Sequence, residues 1–197
     1  MKYLENFSNT IYKTMSARFT ASRRMKRSRD ASKVCEAMFS ASIIAISLIA
    51  LQNPQKEVAD MISAFTIILS TFLLVLSLLF SGLNYDKRME NYHACGNELN
   101  HLYRLIKHDI NVLCDEEQEK KEIDYINQYE EILCKYNLNQ TSFDYQYALL
   151  GDTDKHPLKW LWFQVRYYIF DVYLLYWTIA VVPTVGVVWY FLRYLVY

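Results

Sequence analysis

Five hydroxyl side chains recur in a stretch without charge or proline, Met61 to Leu83: Ser63, Thr66, Ser70, Ser77 and Ser81. At ~100° per residue they fall within ~60° of one another on a helix. An earlier apolar stretch carries a sparser version, Glu36, Ser40 and Ser47, again on one face. Two chemistries use such a stripe. Small residues let two membrane helices approach closely while their hydroxyls bond across the contact or back to a carbonyl. Alternatively, the hydroxyls line water in a pore built by several subunits. One molecule can use both, because a closed channel packs the face that it later wets.

Other reactive types are present without a reactive spacing. His93, His101 and His108 share one segment with Cys95, but they make no i,i+4 His pair and the chain holds no CxxC, so no metal site is expected. The chain has no nucleophile elbow, P-loop, dinucleotide fingerprint or zincin motif, and its four glycines leave little for phosphate-cradling loops. No catalytic residue and no cofactor is expected, and an enzyme is the weakest reading. Arg166 and Asp171 flank an aromatic-rich entry to a further apolar stretch. There they are expected to reach headgroups or a partner.

The elements that position these residues follow from hydropathy and charge. The chain is 197 residues long and 53% hydrophobic, with 21 Lys+Arg against 21 Asp+Glu. The balance hides a segregation. Lys2, Lys13, Arg18, Arg23, Arg24, Lys26, Arg27, Arg29 and Lys33 precede Val34, against Glu5 and Asp30. A basic flank beside an apolar segment stays cytoplasmic. The first apolar segment, Val34 to Leu51, reads as an uncleaved anchor, since no small-residue cleavage site follows it. Gln52 to Glu57, with Pro54 as breaker, then makes a tight turn. The second span, Met61 to Leu83, is long enough to cross a hydrocarbon core of ~30 Å. Two spans joined so closely are antiparallel neighbours, which returns the chain to the cytoplasmic side. A third span is expected at Val172 to Leu192, with Trp and Tyr at both ends and Pro183 and Gly186 inside.

Between these spans lies a more polar region. Tyr85, Tyr92, Leu99, Ile106 and Leu113 recur every seven residues, and Arg88, Cys95, Leu102 and Asp109 fill the alternate heptad positions. The pattern predicts that the second span continues as one long helix, with a seam for a partner in the same protomer or in another subunit. Asp115 to Glu117 ends it and starts the next helix, whose expected face is Ile123, Ile126, Tyr129 or Glu130, Leu133 and Tyr136. The two form an antiparallel hairpin that breaks at Asn137 to Gln140. Before the membrane, Phe7, Ile11, Met15 or Tyr12, and Phe19 are spaced as one helix face. The basic end of that helix is expected either to rest on anionic headgroups or to serve only as a topology signal.

Several local elements together resemble a known family. Ala17-Arg18-Phe19-Thr20-Ala21-Ser22-Arg23-Arg24 is one. Tyr85, Arg88, Tyr92, His93, Cys95, Glu98, Leu99, Asn100 and Leu102 form a second, after the two-span hairpin. Asn137, Asn139, Asp144 and Tyr145 form a third. The chain resembles the SLATT domain family, the SMODS- and SLOG-associating two-transmembrane effectors, and is most similar to its reverse-transcriptase-associated branch. One departure is that Asn139-Gln140 stands where the family's pattern has Asn-His. The resemblance implies a bacterial immunity effector, silent until a partner reverse transcriptase or nucleotide-signal sensor reports phage infection. It would then oligomerise or open in the inner membrane and kill the infected cell.

The expected architecture is all-α: an integral membrane protein with a transmembrane helical hairpin, a cytoplasmic helical hairpin and a C-terminal third transmembrane helix. Its divisions are 1–33, a basic cytoplasmic juxtamembrane helix; 34–83, the transmembrane hairpin; 84–159, the cytoplasmic helical region; and 160–197, the C-terminal span. The expected location is the cell inner membrane, multi-pass, with the N-terminus cytoplasmic. The expected activity is pore formation or membrane disruption by a homo-oligomer in the lipid bilayer, without direct nucleic-acid binding. The alternatives are a non-conducting scaffold that anchors a cytoplasmic partner and a housekeeping ion channel. The candidate stripe is Ser63, Thr66, Ser70, Ser77, Ser81, Glu36, Ser40 and Ser47. The candidate family residues are Arg18, Phe19, Arg23, Arg24, Tyr85, Arg88, Glu98, Leu99, Asp144 and Tyr145.

Overall fold

The computed structural model of the chain describes residues 2–52, 55–139 and 141–149, with isolated positions between 158 and 189. The described residues form helices and no strand: α1 (Lys2–Gln52), α2 (Lys56–Gly82), α3 (Tyr85–Val112), α4 (Asp115–Tyr136) and α5 (Ser142–Leu149). The expected third span falls almost wholly outside the described residues. The chain divides into two compact units, one of Met1–Lys26 with Asp86–Gln164 and one of Arg27–Tyr85 with Val165–Tyr197.

Helix α1 runs 51 residues without interruption. Neither proline nor glycine occurs in it, so nothing forces a break. Its buried side is a continuous heptad seam. Leu4, Ile11, Arg18, Met25, Ser32 and Phe39 recur every seven residues, and Thr14, Ala21, Ser28, Cys35 and Ser42 repeat beside them; all are buried.

In the first unit, the N-terminal half of α1 packs with α3 and α4. Leu4, Ile11 and Met15 meet Cys95, Leu99, Leu102 and Ile106 of α3 and Tyr125 of α4. The heptad expected on α3 is thus spent inside the protomer: Tyr92, Cys95, Leu99, Leu102 and Ile106 are all buried. Each fully buried Leu or Ile stabilises this core by ~1.5–3 kcal/mol. Directions follow from the contacts. Ser22 bonds the carbonyl of Met89 and Tyr12 packs on Tyr103, so α1 and α3 run antiparallel. Thr14 meets Tyr129 and Arg18 meets Leu138, so α1 and α4 run parallel.

The structure corrects two expectations and decides between two alternatives on α1. The second span and α3 are separate helices, interrupted at Leu83 and Asn84. Asn84 is left-handed (φ 49°), a conformation its short amide side chain tolerates, and its Nδ2 donates to the carbonyl of Gly82. On α4 the buried face is not that of Ile123, which is 70% exposed. Gln118 and Tyr125 are buried there instead, while Tyr129 and Tyr136 of the expected face do pack on the core, together with Ile132. The reason is polar. Tyr125 donates to Asp109, and Gln118 Nε2 donates to the carbonyls of Ile110 and Leu113 at the end of α3, fixing the hairpin register. On α1, Met15 and not Tyr12 takes the core position.

In the second unit, the C-terminal half of α1 and α2 are joined by residues 53–55 and meet through Phe39 and Phe72, whose ring centroids lie 6.2 Å apart. Among the described residues, two helices are long and apolar enough to cross a membrane, one in α1 and one in α2. Only 6% of the most apolar stretch of the α2 candidate is buried by the chain itself.

Candidate functional site

The residues of the basic element on α1 converge with the loop after α4 and with α5. Arg18 Nη1 donates to the carbonyl oxygen of Leu138 at 2.6 Å. Tyr92 of α3 donates its hydroxyl to the carbonyl of Asn139, also at 2.6 Å, and Arg18 lies 5.9 Å from the centroid of the Tyr92 ring. Two neighbouring carbonyls of the loop are therefore held by one cation and one phenol. Asn137 ends α4 in the left-handed conformation (φ 41°), with its N–H on the carbonyl of Leu133.

Arg24 reaches the next segment. Its Nε and Nη2 fork onto the two carboxylate oxygens of Asp144 at 3.0 and 2.9 Å. Asp144 is wholly buried. Thr141 donates its hydroxyl to the same carboxylate at 2.7 Å and accepts the Asp144 backbone N–H, which starts α5 as a capping arrangement. The bidentate geometry is the strong form of an Arg–carboxylate bond. It clasps a helix of eight residues, too short to be stable alone, onto α1.

Phe19 sits between these anchors. A Cβ placed at Gly96 of α3 would come 2.9 Å from Phe19 Cε1, so the missing side chain lets the ring approach the α3 backbone. His93 packs edge-on against the same ring at 5.6 Å. Beside it opens a cleft of about 470 Å³, walled by Phe19, Thr20 and Arg23 of α1, His93 of α3 and Tyr147 of α5. Behind the ring, burial pushes the Cys95 thiol up, and the nearby Arg18 guanidinium opposes that shift.

Most candidate family residues thus belong to one cluster: Arg18, Phe19, Arg23, Arg24 and Asp144 around the clasp, and Leu99 in the core beneath it. Glu98 faces α4, where Lys135 and Tyr136 donate to it and hold its carboxyl below the usual range. Tyr145 follows Asp144 in α5. Tyr85 opens α3, and Arg88 is exposed one turn later. The three candidate histidines are not brought together. His93 lies on Phe19, His101 is exposed, and His108 pairs with Asp109.

The stripe is partly spent inside the chain. Thr66 is buried, whereas Ser63, Ser70, Ser77 and Ser81 are exposed. Ser63, Thr66 and Ser70 each bond the carbonyl four residues back, as Ser40 and Ser47 do on α1. Glu36, Ser40 and Ser47 are half-buried. Arg166 is described only as an isolated position, and Asp171 lies outside the described residues.

Two polar features escaped the sequence reading. Asp109, one of the alternate heptad positions, accepts from Lys121 and Tyr125 and pairs with His108, and its carboxyl is held well below the usual range, first by the Lys121 bond. The Tyr92–Asn139 bond runs to a backbone carbonyl, for which a sequence carries no side-chain signal.

No curated protein and no solved structure matches the chain. Residues 1–189 match the family described as SMODS and SLOG-associating 2TM effector domain family 5. That description says nothing of a reverse-transcriptase-associated branch. The match takes in the hairpin of α1 and α2, the helices α3 and α4, and the clasp on Arg24 and Asp144: the chain belongs to the SMODS and SLOG-associating 2TM effector domain family 5.

Proposed function

We propose that the protein is a pore-forming or membrane-disrupting effector of a bacterial anti-phage, abortive-infection system. It acts as a homo-oligomer in the inner membrane, multi-pass, with its N-terminus in the cytoplasm. A partner sensor or enzyme, a reverse transcriptase or a nucleotide-signal protein, releases it.

The observation that carries this reading is the naked face of α2. Phe65, Ile67, Ile68, Leu74, Leu78 and Leu79 are each 55–68% exposed. In water such a surface would be untenable; in a bilayer it is ordinary. Ser63, Ser70, Ser77 and Ser81 are exposed on the same helix and available to lipid, a second copy or water. A pair of helices cannot enclose a water path, so conduction requires several copies. The family's description as a two-transmembrane effector supports the same reading.

Cells expressing the protein together with its genomic neighbour should take up a membrane-impermeant dye on infection, and cells lacking either gene should not. Intact dye exclusion, with the neighbour recruited to the membrane, would favour the scaffold instead.

A further inference from the structure

The cleft beside the clasp is unusual in what lines it. Arg23 and His93 contribute basic groups, and among the described residues no carboxylate is part of its lining. The nearest acid of the clasp, Asp144, is wholly buried and engaged by Arg24 and Thr141, so it does not oppose a negative charge at the mouth. Arg23 makes one long bond, from Nη2 to Thr20 Oγ1 at 3.3 Å, and its other N–H groups bond nothing among the described residues. A guanidinium with a free fork beside a basic imidazole fits a phosphate or carboxylate.

Two aromatic rings from different helices share the lining with the small side chains of Ser16, Thr20, Ser22 and Ala148. Phe19 of α1 is fixed by its seat against Gly96. Tyr147 of α5 stacks on Phe143 at 6.3 Å, with ring planes 21° apart. Aromatic walls favour a planar ring, and stacking of this kind is tolerant of the ring's identity. The volume of about 470 Å³ lies within the ~300–1,000 Å³ common for small-molecule pockets.

We propose that the Phe19–Arg23–His93–Tyr147 cleft binds a small aromatic anion of mononucleotide size, its charge on Arg23 and its ring against the aromatic walls. A bound ring bridges α1 and α5, so occupancy tightens the hold of α5 on α1. This goes beyond the pore reading and does not depend on it, because binding is measured whether or not the protein conducts.

The test is calorimetric titration of the full-length protein in nanodiscs with four probes: AMP, adenosine, phenyl phosphate and inorganic phosphate. AMP or phenyl phosphate should bind, and more tightly than adenosine or inorganic phosphate. A preference for AMP over phenyl phosphate assigns a nucleotide; equal binding assigns aromatic anions in general. Arg23→Gln, at an exposed position, should weaken the anionic probes about tenfold or more and leave adenosine unchanged. Tyr147→Leu should weaken every ring-bearing probe, with helical content and melting checked for both variants. Absence of binding by both aromatic anions, equal binding of inorganic phosphate and AMP, or undiminished AMP affinity in the Arg23→Gln variant would overturn the assignment.

Discussion

Replacing Arg24 with Met removes the fork that holds α5. The methionine keeps much of the aliphatic stem, so packing changes little, but Asp144 is left wholly buried with Thr141 as its remaining side-chain donor. Stripping the partner from a buried charge costs ~3–5 kcal/mol. Arg24 is 18% exposed, so water can reach part of the vacated space, and the lower end, ~3 kcal/mol, is the expected loss. A helix of eight residues has little stability of its own to absorb this, so α5 should open before the bundle does. At ~1.4 kcal/mol per factor of ten, amide hydrogen exchange across 142–149 should speed up by about a hundredfold. The core amides around Leu99 and Ile106 should stay protected. Adding Asp144→Asn removes the stranded charge, so the double variant should lose less than the sum of the single ones, with a coupling of ~1–3 kcal/mol. Exchange in 142–149 within about threefold of the wild type, or additive losses within ~0.5 kcal/mol, would refute the clasp.

Other outcomes follow from the same packing. Asp109 has its carboxyl depressed by Lys121, Tyr125 and His108, so its contribution is present above the unfolded value of ~4 and is lost as pH falls through the folded value. The acid limb of a melting-versus-pH curve should therefore flatten in Asp109→Asn, while an unchanged limb would show that these bonds do not hold the hairpin. Gly96→Ala sets a Cβ against Phe19 at 2.9 Å and should lower stability by ~1–3 kcal/mol in thermal melting, with Ala94→Gly as a helix-propensity control. Reporter fusions after Tyr145 and after Tyr197 should report opposite sides of the membrane; the same side for both would remove the third span.

The parts of the fold written in apolar periodicity were legible. The α3 seam at Tyr92, Leu99 and Ile106, and the α1 positions Ile11 and Met15, stand where their spacing puts them. The α1 seam was harder, because Arg18, Ser28, Ser32 and Ser42 occupy heptad positions that a hydropathy pattern reads as breaks. Small and hydrogen-bonded side chains pack there without raising the apolar count. The interruption at Asn84 was invisible for a related reason, since the helix-compatible residues on both sides outweigh one asparagine in the left-handed region. On α4 the period of Ile123 and Leu133 competed with a polar register set by Tyr125 and Gln118, and the hydrogen bonds prevailed. The clasp was half legible. Arg24 and Asp144 were both singled out by resemblance, but a separation of 120 residues hides their pairing from any local pattern. The cleft depends on that pairing and was not readable before it.

In the pore proposed above, the exposed serines of α2 face the conducting path. Planar-bilayer current from the purified protein with its activating partner, measured beside a variant in which Ser70 and Ser77 are both Leu, tests it most directly. Both serines are exposed on α2, so the substitution should leave the monomer folded, and two apolar rings per subunit should dewet the path. The wild type should show discrete openings and the variant none, at equal oligomer size. Unchanged conductance in the double Leu variant with normal assembly would contradict it and remove this face from the path.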